Sequence, residues 1–250
     1  MAGHTFHTPE PVELEIKIPA GAIEIETIEG TESTIELVGS DRLIEQTEVV
    51  QNGRTISVEY KKRFGLRIEI GDISWGTGSL RVRARVPHAS DAVLSTAAAD
   101  MELRGTFASL EVKSAAGDLV VDGDIDGNAR IKTVSGDVRL RAVAGDLTVQ
   151  SVSADVTATS VGGDVSAKSV SGDVRIESTR QGHVTVQSVS GDIEVGVAPG
   201  TNLDVDAGSV SGDLTSEVAL GNDAGAVGDG PMLVVRGKTV SGDFKVFRAA

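Results

Sequence analysis

In the second half of the chain, apolar positions recur in a cycle of two, three and four. Between residues 138 and 170 they are Val138, Leu140, Val143, Leu147, Val149, Val152, Val156, Ala158, Val161, Val165, Ala167 and Val170. A step of two is the alternation of a strand. Steps of three and four absorb a change of parity through a bend and a turn, where glycine can take a positive φ. Helical spacing is missing, and β-branched valine dominates. The pattern predicts short strands, each closed by a tight turn.

The turns repeat as well. TVSGDV, SVSADV, SVSGDV, SVSGDI, SVSGDL and TVSGDF begin at 133, 151, 169, 188, 209 and 239, with weaker copies at 142, 160 and 179. Their corner residues are Asp100, Ser109, Asp118, Asn128, Asp137, Asp146, Asp155, Asp164, Asp173, His183 and Asp192, spaced by 9 or 10. Every second corner is Asp, so the full repeat is about 18 residues with two unlike corners. Strands this short cannot bury an inner face alone and must stack on their neighbours. The expected fold is all-β: a two-sided parallel β-solenoid, or β-helix, with two facing sheets about 10 Å apart. Right-handed winding is favoured by the crossover rule, and the left-handed form stays open. Val138, Leu147, Val156, Val165 and Val174 should be buried. Gly136, Gly145, Gly172 and Gly191 should sit at turns, most with positive φ, although Ala154 takes the same place in one copy.

After Asp192 the spacing loosens through Asn202, Asp213, Met232 and Asp243, and residues 219–230 read as a surface loop. Phe244 and Val246 should face inward, with Phe247 outside or over the end, so the last copy reads as a cap. Residues 1–95 form a β-rich N-terminal region or cap, and residues 96–250 the solenoid. Val12, Leu14, Ile16 and Ile18 alternate with polar residues there, Gly21 opens a worn repeat, and Gln51-Asn52-Gly53 reads as a hairpin turn.

Composition narrows the function. Aromatic residues are 3% of 250 and glycines number 30, so the core is aliphatic and regular. Cysteine is absent, which removes disulfides, thiolate metal sites and cysteine nucleophiles. No apolar run has the length of a signal peptide or a membrane span, so a cytoplasmic protein is expected. The net charge of -14 disfavours nucleic acid and anionic membranes as partners. Charge is uneven, however: residues 1–53 carry 11 acids and two bases, whereas residues 54–88 carry eight bases and three acids. Lys61, Lys62, Arg63, Trp75, Arg81, Arg83 and Arg85 form a basic ridge. It suits either neutralisation of nearby glutamates or docking of an unknown protein partner, including weak, salt-sensitive self-association.

The aspartate corners would stack about 4.8 Å apart, where two unit charges repel by about 1 kcal/mol even in water. Each carboxylate could accept N–H groups of its own turn, or the edge could hold divalent cations. The calcium nonapeptide GGxGxDxUx needs more glycines and a different Asp position, so only its period matches. His4, His7, His88 and His183 form no ligand set, and no nucleophile elbow, zincin motif or P-loop occurs. Polysaccharide cleavage needs a cleft and aromatic platforms, and the repeat region offers only Phe107 before Phe244. No catalytic residue, metal site or cofactor is expected. The chain reads as a non-enzymatic scaffold or protein-interaction module. A divalent-cation-responsive binding protein using the Asp edge is the alternative, and a carbohydrate-active β-helix comes last.

The Ser-Gly-Asp strand repeats, the leading strands with Gly21 and the closing Thr239-Val240-Ser241-Gly242-Asp243 resemble a family of bacterial β-strand-repeat proteins labelled candidate adhesins, a domain of unknown function. The resemblance covers nearly the whole chain and is strongest from about 95 to 250. It implies a β-solenoid and a non-enzymatic role tied to the cell envelope or to assembly. It supplies no catalytic residues.

Overall fold

The computed structural model describes residues 1–61, 79–218 and 230–249. Its strands in chain order are β1 (Ala2–His7), β2 (Glu13–Ile28), β3 (Glu32–Val38), β4 (Thr47–Asn52), β5 (Thr55–Tyr60), β6 (Leu80–Pro87), β7 (Ser90–Lys113), β8 (Leu119–Ile125), β9 (Ala129–Lys132) and β10 (Val138–Val143). They continue with β11 (Leu147–Gln150), β12 (Val156–Val161), β13 (Val165–Lys168), β14 (Val174–Thr179), β15 (Gly182–Gln187), β16 (Ile193–Val197), β17 (Asn202–Ser211), β18 (Leu214–Ser216), β19 (Met232–Ser241) and β20 (Phe244–Arg248). A five-residue helix, α1 (Asp41–Glu45), that no sequence period announced links β3 to β4.

Strands pair with the next but one in sequence, and they pair in parallel. Val138 lies beside Val156, Val156 beside Val174, and Val174 beside Ile193. On the alternate set, Leu147 lies beside Val165 and Val165 beside Val184. The result is an all-β, solenoid-like stack of mostly parallel strands. Val138, Leu147, Val156, Val165 and Val174 are all buried, as the periodicity requires. Burying each such side chain contributes roughly 1.5–3 kcal/mol.

At the N-terminal end the ladder changes sense. β2 runs parallel to β5, β6 and β7, while β3 pairs antiparallel with β6, β1 with β3, and β4 with β5. Gly53, with φ 59, makes the β4–β5 hairpin turn. The boundary expected near residue 95 falls inside β7, which pairs with β2 on one side and with β8 and β9 further along.

The C-terminal end departs from the expected order. β19 pairs with both β15 and β17, and β20 with both β16 and β18. The last two strands are therefore inserted inside the stack, and β17–β18 lie outermost. Phe244 is consequently a core residue and no cap. Room for its ring comes from Gly237, where a Cβ would lie 2.0 Å from Phe244 Cε2. Phe247 packs sideways under the Arg175 guanidinium, 5.2 Å from the ring centre. The expected loop at 219–230 lies, but for Gly230, outside the described residues.

Gly136, Gly172 and Gly191 do have positive φ, at 98, 127 and 146. Gly145 does not share that conformation. It is needed for close approach, because a Cβ there would lie 2.4 Å from Asn128 Oδ1.

Candidate functional site

Both aspartate corners are tied from coil to coil by one repeated bond. Asp118 N–H donates to Asp100 Oδ1 at 3.1 Å, Asp137 N–H to Asp118 Oδ1 at 2.9 Å, and Asp173 N–H to Asp155 Oδ1 at 2.9 Å. Asp192 follows on Asp173, Asp243 on Asp192, and Asp213 on Asp243. The opposite corner repeats the device through Asn128, Asp146, Asp164 and His183. The expected bond within each turn is thus replaced by a bond to the neighbouring coil, which joins the stack and offsets the repulsion between carboxylates. No cluster of three or more His, Asp or Glu among the described residues could hold a metal ion.

The basic ridge is divided. Lys62, Arg63 and Trp75 lie outside the described residues. Lys61 is ion-paired with Glu48, whose carboxylate holds the ammonium above its ordinary range. Arg81, Arg83 and Arg85 stand on β6 beside β2. Arg81 and Arg83 reach Glu24 at 3.2 and 2.8 Å, and Arg85 reaches Glu26 at 3.0 Å. A cleft of about 290 Å³ on this face is lined by Glu24, Glu26, Glu36, Arg83, Arg85, Glu102 and Arg104. The arginines therefore sit in a row already matched by carboxylates.

A second surface was not legible as a site. The chain leaves β9, β11, β13 and β15 through related triplets, Lys132-Thr133-Val134, Gln150-Ser151-Val152, Lys168-Ser169-Val170 and Gln187-Ser188-Val189, and Lys238-Thr239-Val240 within β19 is the fifth. Gly208-Ser209-Val210 on β17 adds the outermost member. The hydroxyl residues of the first five triplets are buried, and the valines are between 43% and 50% exposed, rising to 82% at Val210. Val152 and Val170, which continue the apolar cycle, point outward instead. The bend at the strand end shifts parity, so that Ser151 and Ser169 take the inner place. The only signal in the sequence was the hydroxyl preceding each valine.

Lower in this column three successive hydroxyls have partners, while Thr96 Oγ1, in register below Ser114, has none among the described residues. Ser114 Oγ donates to Ala116 O at 2.7 Å, Thr133 Oγ1 to Ser135 O at 2.9 Å, and Ser151 Oγ to Ser169 Oγ at 3.1 Å. Ser188 Oγ and Thr239 Oγ1 are buried without any partner among the described residues. Leaving such a group unmatched costs about 1–3 kcal/mol. A groove of about 670 Å³ opens at these two residues, bordered by Lys168, Ser169, Gln187, Val189, Gly208, Ser209, Val210, Lys238 and Val240. Neither Lys168 nor Lys238 has an ion-pair partner among the described residues.

Beside this groove lies the end of the stack. β17 and β18 each have one strand neighbour among the described residues, and Leu214 is 52% exposed. Asp206 is exposed on the outward side of β17, with Asp204 held by Arg236 at 3.0 Å. No helix among the described residues is long and apolar enough to cross a membrane.

The model of the family described as Toastrack DUF4097 matches residues 13–247. No curated protein matches the chain. Among solved structures, a candidate lipid-binding protein from Parabacteroides distasonis superposes with a TM-score of 0.57 at 10% identity, over 98% of this chain and 96% of that one. A candidate adhesin from Bacteroides fragilis gives 0.47 at 15% identity over the same shares. The first of these likenesses shows a shared fold.

Proposed function

We infer, from the premise that the chain belongs to the Toastrack DUF4097 family, that it is a non-enzymatic interaction module. A stack of two facing sheets, right-handed and with about 18 residues per coil, holds one end open to an extended segment of a protein partner. The observation that carries this reading is the β17–β18 end, where Leu214 is 52% exposed beside a strand edge that no other strand covers among the described residues. Such an edge accepts an added strand through main-chain hydrogen bonds. Asp206 on the outer side and the half-buried row Leu203, Val205 and Ala207 on the inner side favour a partner strand alternating basic and apolar residues.

The test is fluorescence anisotropy of a labelled synthetic strand alternating Val and Arg, titrated with the full chain and with the Leu214→Lys variant. Saturable binding that the variant loses supports the reading. Equal binding by both proteins, or none by either, overturns it. Sedimentation velocity of the protein alone distinguishes a second copy as the occupant, in which case association rises with concentration and Leu214→Lys abolishes it.

A further inference from the structure

We propose that the groove over Ser188 and Thr239 binds a free long-chain carboxylate, with its acyl chain along the valine column and its head between Lys168 and Lys238. Three independent features point to this chemistry. Val189, Val240 and Val210 supply an exposed apolar wall where stacked strands would ordinarily present polar groups. Lys168 and Lys238 are cations without carboxylate partners among the described residues, in a chain of net charge -14. Ser188 and Thr239 are 7% and 4% exposed, line the groove and have hydroxyls without a hydrogen-bond partner among the described residues, whereas Ser114, Thr133 and Ser151 in the same column donate to protein oxygens. A carboxylate accepts from both kinds of donor, hydroxyl and ammonium.

The direction of the groove separates an acyl chain from a peptide. It runs across the strands, so its chemical groups recur at the strand spacing of about 4.8 Å. An extended peptide repeats at about 3.3 Å per residue and would fall out of step within two residues. A polymethylene chain has no polar repeat to match and packs against the valines at any register. The volume of about 670 Å³ lies within the range of small-ligand sites.

The probe is laurate, kept below its micelle threshold and titrated calorimetrically into the full chain. Saturable one-to-one binding is expected. Lys168→Gln combined with Lys238→Gln should weaken it by about tenfold or more, the loss of charge-assisted hydrogen bonds. Val240→Asp should abolish it, and Val134→Ser, in the same column but outside the groove, should leave it unchanged. Dodecanol should bind more weakly than laurate, and dodecylammonium should not compete. All variants alter exposed positions, and matched melting temperatures check their folding. Absence of saturable laurate binding overturns the proposal, as does binding indifferent to Val240→Asp and to both lysine changes. Co-sedimentation with phosphatidylglycerol vesicles that exceeds laurate affinity would assign the groove to a lipid surface and likewise overturn it. Leu214 does not line the groove, so the open end and the groove fail or succeed separately.

Discussion

A corner aspartate in this protein holds the coil beside it, and the group it holds is the main-chain N–H of that coil's own corner residue. The acceptor oxygen matters more than its charge, because Asn128 does the same for Asp146 at 2.8 Å. Asp173→Asn should therefore be close to neutral, and it removes a like charge from the ladder. Asp173→Ala strips the acceptor from Asp192 N–H and should cost about 1 kcal/mol, below the usual value for a bond to a charged group because the site is exposed. Urea unfolding of the two variants checks this, and an equal loss in both would show that charge is what counts. That these positions were corners was legible in the Ser-Gly-Asp strings, as was the positive φ of Gly136, Gly172 and Gly191. Which N–H each carboxylate accepts was not legible, since a tight turn and a neighbouring coil offer chemically identical donors.

At the scale of the strand, the two-three-four cycle correctly assigns the interior. Truncating Val156, 3% exposed between Val138 and Val174, should cost roughly 1–3 kcal/mol in chemical unfolding, with no change in oligomeric state. The same cycle misleads at Val152 and Val170. Alternation specifies a side only within a strand, and the bend that follows Gln150 or Lys168 resets it. The order of the last four strands was hidden for a related reason. Thr239–Asp243 presents the same corner as Ser209–Asp213, so either segment fits on Ser188–Asp192, and nothing local in the sequence distinguishes them. The larger Phe244 and the vacancy at Gly237 decide the matter through packing across the interior. That is a long-range fit, invisible to a pattern read along the chain.

For the molecule as a whole, part of the charge imbalance of the first 88 residues resolves into a face of interleaved rows. Arg81, Arg83 and Arg85 lie between carboxylates of β2 and β3, all at the surface. Each pair is worth at most about 1 kcal/mol, but removing three cations leaves Glu24, Glu26 and Glu36 facing one another. Changing all three arginines to Ser should lower the melting temperature in dilute buffer. Raising the salt to about 1 M should recover much of it, because the screening length falls to about 3 Å. A loss unaffected by salt would point instead to the packing of the arginine stems.

The placement of β19 and β20 inside the stack sets a problem of timing during synthesis. β17 and β18 leave the ribosome first, when the surface on which they finally rest has not been made. β15 and β16 are already present and carry the same corner, with Asp192 N–H and Asp213 N–H differing only in which carboxylate they meet. Seating residues 202–216 where residues 232–248 belong would satisfy the same corner bond, so a chain folding in order of synthesis would have to reopen that contact to finish. Order of synthesis and order of stacking therefore differ for the last four strands, and the pair left outermost is not the pair made last.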